Sequence, residues 1–279
     1  MSYKTILVHL DSSKRAPLRL ELAFKLAAAH EAHLIALYAP FQPDTRLLYA
    51  ASMAPVVWEE KDQLGRIQRT VLEKAFHAGI SRNSLAGEWR STDEYPNRAV
   101  PLHARHADLV IAGQFDVEDP DSFVADRFCE NLVMSSGRPT LFVPYAGEFP
   151  SLGSSVMVCW DGSREATRAI HDALPLLKRA SRVNIVTVNA LKNQDADARI
   201  PGADIATVIA RHGVKAQIVE IEGVTGLRFG ELLLSQASDL NADLIVMGAF
   251  AHARWQELIL GGVTRTLFKS MTVPVLMSH

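Results

Sequence analysis

Residues 242–274 decide the fold, and they read ADLIVMGAFAHARWQELILGGVTRTLFKSMTVP. The stretch opens with a short apolar run, residues 244–247, which Gly248 ends. A continuous apolar run of this length is typical of a parallel strand that is buried on both faces. Gly261 and Gly262 then precede apolar residues at helical spacing, so a helix is predicted to begin there. The stretch therefore predicts a strand, a glycine-bounded loop and a helix.

The glycines at the two ends of this loop suit an anionic ligand. Glycine lets the backbone approach a ligand closely, and the free N–H groups at a helix start favour negative charge such as phosphate. The spacing matches neither the GxGxxG dinucleotide pattern nor the Walker pattern. A strand, a turn and a helix that need small residues for packing would explain the glycines equally well. The rest of the chain has to decide between these alternatives.

Length and composition narrow the class of protein. The chain has 279 residues, of which 48% are hydrophobic and 22% charged, and these values suit two globular domains. A net charge of -2 gives no overall attraction to nucleic acid or to an anionic membrane. Cys129 and Cys159 lie far apart without zinc-site spacing, so both are expected to be reduced. The sequence shows no secretory leader and no long apolar span, and a cytoplasmic protein is expected.

The two halves of the chain repeat one pattern. Four residues recur 150 positions later (161 minus 11): Ile6, Val8, Asp11 and Ser13 match Val156, Val158, Asp161 and Ser163. Each half alternates strands with helices, which predicts an α/β fold made of two doubly wound, Rossmann-like or flavodoxin-like, five-stranded parallel-sheet domains in tandem. The strands are predicted near residues 4–10, 33–39, 85–90, 108–113, 139–144, 155–160, 182–188, 215–221, 243–248 and 273–277.

The domains are predicted at residues 1–146 and 154–279, because residues 144–154 are rich in Pro, Gly and Ser and form a short linker. So short a linker predicts that the two domains pack as an intramolecular pseudo-dimer. The last strands, 139–144 and 273–277, are the edges expected to pair, since an edge strand otherwise leaves backbone groups unpaired.

A ligand of such a sheet binds at the carboxyl ends of the strands where the strand order reverses, here between the first and fourth strands. Asp161 follows the first strand of the second half and Gly248 ends the fourth. An aspartate there can accept a hydrogen bond from an exocyclic amine or a ribose hydroxyl, while the glycine loop holds phosphates. The alternative is structural, with Asp161 or Ser163 capping the following helix.

At this point the chain resembles the universal stress protein family in its tandem two-domain form. ATP-binding members carry Gly-x2-Gly-x9-Gly-[Ser/Thr], which maps here onto Gly248, Ala251, Gly261 and Gly262. Ala251 departs from glycine and Gly262 from a hydroxyl residue, while Thr264 could supply the missing hydroxyl. The resemblance implies an ATP or related adenine-nucleotide site with Asp161 on adenine, Val188 contacting the base through its backbone, and Val263 following the phosphate glycines.

The first half is predicted to bind no nucleotide. Its equivalent loop, residues 113–127, reads GQFDVEDPDSFVADR, and its carboxylates would repel a triphosphate. These acids are expected to be solvated, with a magnesium-binding role as the alternative. The apolar insertion at 40–58 is expected to cover the vacated crevice, or otherwise to expose a patch to a partner.

Neither a metal site nor a catalytic set stands out. His9, His103 and His106 show no zinc-type cluster, and no known catalytic motif occurs, so at most weak ATP hydrolysis is expected. The sequence thus favours a regulatory, stress-response protein that binds an adenine nucleotide in its second domain. The alternative is a scaffold of the same fold that binds no nucleotide and acts through protein contacts, including a homodimer.

Overall fold

The computed structural model describes residues 2–41, 55–188, 202–222, 229–250 and 262–279, and for residues 55–62 only the backbone. Two predicted site residues, Ala251 and Gly261, lie outside the described residues. The chain forms two compact units, Tyr3–Ser136 and Gly137–His279, and the latter also includes Ser2.

The first unit is a parallel sheet with helices between its strands. Its strands lie in the order β3-β2-β1-β4. Its elements in chain order are β1 (Thr5–Leu10), α1 (Ala16–His30), β2 (His33–Tyr38), α2 (Pro55–Arg82), β3 (Gly87–Ser91), α3 (Pro96–Ala104), β4 (Leu109–Gly113), a 3-10 turn (Pro120–Ser122) and α4 (Phe128–Ser135).

The second unit repeats this order and adds two strands, of which one is antiparallel. Its parallel strands lie in the order β8-β7-β6-β9-β10, and β5 pairs antiparallel with β10. Its elements are β5 (Thr140–Val143), β6 (Ser155–Cys159), α5 (Arg164–Leu177), β7 (Arg182–Val188), α6 (Ala203–Arg211), β8 (Gln217–Ile221), α7 (Phe229–Asp239), β9 (Leu244–Gly248), α8 (Gly262–Ser270) and β10 (Val275–Ser278).

The predicted doubly wound α/β class is confirmed, and each strand lies within about two residues of its predicted bounds. The predicted pairing of the last strands is confirmed as well, since Val275 pairs with Phe142 and Met277 with Thr140. β5 is grouped with the second compact unit. The predicted loop at 40–58 is also too long, because α2 begins at Pro55.

None of the helices in the described ranges combines the length and the apolar character that crossing a membrane requires.

In the first unit, α1 and α2 pack through a close contact between an aromatic ring and a glycine. Phe24 of α1 stacks on Phe76 of α2 with ring centroids 6.2 Å apart. A Cβ added at Gly79, one turn from Phe76, would lie 2.1 Å from the Phe24 ring. At Gly65, on the same helix, an added Cβ would meet no atom within 4 Å. The two glycines of α2 therefore have different packing roles.

Gly79→Ala is expected to lower the free energy of unfolding of the first unit by about 1–3 kcal/mol, because the new methyl group must displace the buried Phe24 ring. Gly65→Ala is the matched control, and it is expected to raise stability by up to about 1 kcal/mol through helix propensity alone. Urea unfolding followed by circular dichroism measures both values. Equal effects of the two substitutions would contradict the packing argument.

Candidate functional site

The candidate site of the second unit lies at the carboxyl ends of β6 and β9, where the strand order reverses. Gly248, the last residue of β9, lies directly against the first turn of α5. A Cβ at this position would be 2.6 Å from the Ala166 nitrogen and 2.7 Å from the Glu165 carbonyl carbon. Because α5 begins just after Asp161, the fold brings Gly248 and the Asp161 turn to one corner of the sheet.

Asp161 and Ser163 form the turn that starts α5. The Ser163 backbone N–H donates to Asp161 Oδ1 at 2.9 Å, and Ser163 Oγ accepts from the Ala166 N–H at 3.1 Å. The structural alternative is therefore correct for Ser163, which caps the helix. Asp161 itself is exposed, and among the described residues its Oδ2 has no hydrogen-bond partner. One carboxylate oxygen is thus held in place while the other faces solvent.

Three further predicted site residues that the structure describes lie at the start of α8. Gly262, its first residue, is exposed, and an added Cβ would meet open space. Val263 is half-buried, whereas Thr264 is buried at 3% exposure, so its side chain does not lie at the surface. With nine residues, α8 is long enough for its N-terminal N–H groups to attract an anion.

The chain leaves β9 through a strained residue that sequence reasoning missed. Phe250 has a φ of 56°, which a residue with a side chain adopts at a cost. The preceding Ala249 is fixed on both sides, because its N–H donates to the Ser278 carbonyl at 2.8 Å and its carbonyl contacts His279 Nδ1 at 3.0 Å. The anchored Ala249 fixes the point at which the chain turns at Phe250. Strain of this kind is often found at functional sites.

Two further residues border this corner. Val188 ends β7, pairs with Ile221 and is half-buried, which agrees with its predicted position. Cys159 ends β6, and burial together with the neighbouring Asp161 carboxylate raises the pKa of its thiol to about 12. A thiol with this pKa stays protonated near neutral pH, so Cys159 is not an activated nucleophile.

The corresponding corner of the first unit is filled by a residue that the sequence analysis missed. Arg19 extends from α1 so that its Nη2 lies 2.8 Å from Asp11 Oδ2, and both side chains are almost fully buried. Arg19 Nε also donates to the His9 carbonyl at 2.8 Å. A Cβ at Gly113 would lie 1.9 Å from Arg19 Nη1, so the guanidinium occupies the space beside this glycine.

Asp119, in the loop after β4, also contributes to closing this corner. Asp119 is only 5% exposed, and its Oδ2 accepts a hydrogen bond from the Lys14 N–H at 2.9 Å, just before α1. The expectation that the acids of this loop are all solvated is therefore wrong for Asp119. The Asp119 carboxylate thus lies just before the N-terminus of α1, where a helix favours a negative charge.

The ionisation of Asp11 depends on its partners. Burial raises the pKa of Asp11, but Arg19, His9 and the Ser13 hydrogen bonds outweigh burial and hold this pKa below its usual value of 3.8. The carboxylate is therefore charged in the folded protein at neutral pH. A buried carboxylate of this kind is stable only while its cation is present.

Arg19→Met is expected to lower the free energy of unfolding by about 3–5 kcal/mol at neutral pH, because it leaves the buried Asp11 carboxylate unpaired. Combining it with Asp11→Asn is expected to cost less than the sum of the two single substitutions. Since the folded pKa of Asp11 is depressed, the stabilisation is present above about pH 4 and lost below it. Additive effects in the double-mutant cycle would contradict a coupled pair.

His9 gives the first unit a second dependence on pH. It is fully buried, its Nε2 bonds the Ala39 carbonyl at 2.9 Å, and its ring lies 4.8 Å from the Phe128 ring. Burial lowers the pKa of His9 from 6.5 to about 4, with Arg19 adding to this effect and Asp11 opposing it. The folded protein therefore keeps His9 neutral at pH values where the unfolded chain protonates it.

Between pH 6.5 and pH 4 the unfolded chain binds a proton at His9 that the folded chain does not bind. The free energy of unfolding therefore decreases as the pH is lowered from 6.5 to 4. We expect a loss of about 3 kcal/mol between pH 7 and pH 4 from this group. Urea unfolding across this range measures the slope in the parent protein and in His9→Gln. An unchanged slope in the variant would show that His9 is not the titrating group.

Comparison with known proteins gives a family match for most of the second unit. The model of the universal stress protein family matches residues 154–279. A universal stress protein of Synechocystis is 28% identical over 148 residues, which cover 53% of this chain and 49% of that protein. This chain therefore spans about half the length of that relative.

Solved structures with a similar fold cover almost the whole chain. A universal stress protein from Archaeoglobus fulgidus superposes with a TM-score of 0.71 at 18% identity, over 98% of this chain and 97% of that one. A protein of unknown function from Pseudomonas aeruginosa superposes with a TM-score of 0.59 at 16% identity, over 99% and 92% of the two chains. At these identities the likeness concerns the fold.

Proposed function

We propose that this chain, whose residues 154–279 belong to the universal stress protein family, binds one adenine nucleotide such as ATP in its second unit and acts as a regulator in a stress response. The first unit is proposed to be a second domain of the same type that binds no nucleotide.

One observation carries this proposal, namely the different state of the same aspartate in the two units. In the first unit both Asp11 oxygens are engaged, one by Ser13 and the other by Arg19. In the second unit Asp161 is exposed, and within the described ranges a hydrogen bond is made by its Oδ1 alone. A free carboxylate oxygen beside a crevice is the acceptor that an adenine amine or a ribose hydroxyl needs.

The charges at this corner favour one orientation of the bound nucleotide, with its phosphates away from Asp161. The Asp161 carboxylate lies at one end of the corner, and the Glu165 carboxylate lies nearby, paired with Arg164 at 2.8 Å. Phosphates would be repelled by Asp161, whereas the uncharged base would not be. The base and ribose therefore fit near Asp161 and Val188, and the phosphates fit the start of α8 at Gly262 and Val263.

The remaining positions carried over from the family pattern are part of the proposal. Gly248 lets β9 end directly against the first turn of α5, and Ala251 and Gly261 belong to the same predicted phosphate loop. The Thr264 side chain is buried, so this residue is proposed to contribute its backbone, in the first turn of α8, to the phosphate end of the site. The Cys159 thiol is protonated near neutral pH and supplies no activated nucleophile, and hydrolysis is not part of the proposal.

Isothermal titration calorimetry with ATP is expected to show one site per chain. Asp161→Asn should weaken binding by about 10- to 100-fold, because a hydrogen bond to a charged group contributes about 1.5–3 kcal/mol. This variant keeps an oxygen for the Ser163 N–H but presents an amide donor where the nucleotide needs an acceptor. Asp239→Ala is the control, because it removes an exposed carboxylate at the end of α7.

Folded protein that binds neither ATP, ADP nor AMP at millimolar concentration would refute the proposed function. Two sites per chain would refute the assignment of the first unit, and equal affinity for GTP would refute the adenine specificity.

A further inference from the structure

The outer face of α2 carries a row of exposed apolar residues. Leu64 is 65% exposed, Ile67 55% and Val71 58%, and Ala75 and Ala78 are exposed as well. Their spacing of three or four residues places all five on one side of the helix. These five residues are called the α2 stripe below. Single exposed apolar residues are ordinary, whereas a contiguous set of them is typical of an interaction site.

Contacts on the opposite side of α2 fix the rotation of the helix. Leu72 and Phe76 are buried in the core of the first unit. Gln68, which is half-buried, donates from its Nε2 to the Ser12 carbonyl at 2.7 Å. Rotating the helix so that the α2 stripe turned inward would expose Leu72 and Phe76 and break this hydrogen bond. The α2 stripe is therefore a fixed surface of the folded unit, and a partner that binds it does not have to order the helix.

The spacing of the α2 stripe is the same in both chain directions. Leu64 and Ala78 lie seven residues before and after Val71, and Ile67 and Ala75 lie four residues before and after it. Two copies of α2 that pack antiparallel about a two-fold axis at Val71 therefore bring Leu64 against Ala78 of the other copy, and Ile67 against Ala75. Each of these contacts joins a large side chain to a small one, as close helix packing requires. A two-fold interface needs a self-complementary surface of this kind.

The charges along α2 also suit antiparallel pairing of two copies. The sequence of the helix is net negative before residue 63, where Glu59, Glu60 and Asp62 occur, and net positive from residue 66 to its end at Arg82. An antiparallel pair places the acidic beginning of one helix near the basic end of the other. Arg82 already pairs with Glu21 at 2.8 Å, so the complementarity is one of overall charge and not of a new ion pair.

We infer that the α2 stripe is the contact surface for a second copy of this chain, in an antiparallel dimer whose two-fold axis passes through Val71. One helix stripe buries less than the about 1,200 Å² of a standard stable interface, so a weak dimer is expected. An anionic membrane is the competing occupant, since an apolar stripe beside basic residues also suits a lipid surface. A membrane makes no use of the gradient from large to small side chains, and the gradient favours the second copy. The inference goes beyond the proposed nucleotide site, because it concerns the other unit.

Sedimentation equilibrium of the full chain over a range of concentrations is expected to show a reversible dimer. Val71→Glu should weaken this dimer about ten-fold or more, because it places two like charges together at the two-fold axis. Val71 is exposed, so the circular dichroism spectrum of the variant should be unchanged. Leu102→Glu is the matched control, since Leu102 is 40% exposed on α3, outside the α2 stripe, and its substitution should leave the dimer intact.

Cysteine crosslinking tests the register of the pairing. Val71→Cys should form a disulfide-linked dimer with oxidised glutathione as the oxidant, because the two copies of this residue meet at the axis. Leu64→Cys is at least as exposed, but its two copies would lie about 21 Å apart along the helix axis, too far for a disulfide. A mixture of Leu64→Cys and Ala78→Cys proteins should crosslink, and the parent protein, with Cys129 and Cys159, gives the background.

A chain that stays monomeric up to millimolar concentration would overturn the inference, as would a dimer that Val71→Glu leaves unchanged. Equal crosslinking of Leu64→Cys alone and Val71→Cys would refute the antiparallel register. Binding to anionic vesicles that Val71→Glu abolishes would assign the α2 stripe to a membrane instead. Nucleotide titration of Val71→Glu reports separately on the second unit, so the two proposals fail independently.

Discussion

Both units depend on a close contact at the glycine that ends β4 or β9. In the second unit the end of β9 lies so near α5 that any side chain at Gly248 would collide with the backbone at Ala166. Gly248 is thus required by packing, whether or not a ligand binds beside it. In the first unit the space beside Gly113 is taken by the Arg19 guanidinium instead. The same glycine position therefore serves backbone packing in one unit and side-chain packing in the other.

Burying the Asp11–Arg19 ion pair of the first unit costs free energy, and this cost explains the many hydrogen bonds around the pair. Removing two charges from water is expensive, and their attraction compensates only when the remaining polar atoms are also bonded. Asp11 receives two hydrogen bonds from Ser13 in addition to the ion pair, and Arg19 bonds the His9 carbonyl. His9 meanwhile stays neutral, so it adds no second cation to the pair. The corner is therefore a buried polar network around the ion pair, in which His9 Nδ1 has no hydrogen-bond partner among the described residues.

The sequence predicted the fold well because the information was local. The strands are short apolar runs, and the edge pairing of β5 with β10 follows from the need to satisfy backbone groups. The start of α2 was missed, although Pro55 is a residue that commonly opens helices. Arg19 was missed because the meaning of a charged residue on a buried helical stripe depends on a partner from another element. The available signal was the contrast with Ala169, 150 positions later (169 minus 19), on the same stripe of the second half.

The candidate site shows why a motif alone does not establish a ligand. Asp11 and Asp161 make the same turn, since Ser13 and Ser163 donate their backbone N–H to Oδ1 at 3.0 and 2.9 Å. This Asp-x-Ser turn precedes a helix in both units, so its presence has a structural explanation without any nucleotide. What differs is Oδ2, which an arginine binds in one unit and which faces solvent in the other. The proposed functional difference between the halves therefore rests on one carboxylate oxygen, which Arg19 binds in the first unit, whereas the matching position of the second unit is Ala169.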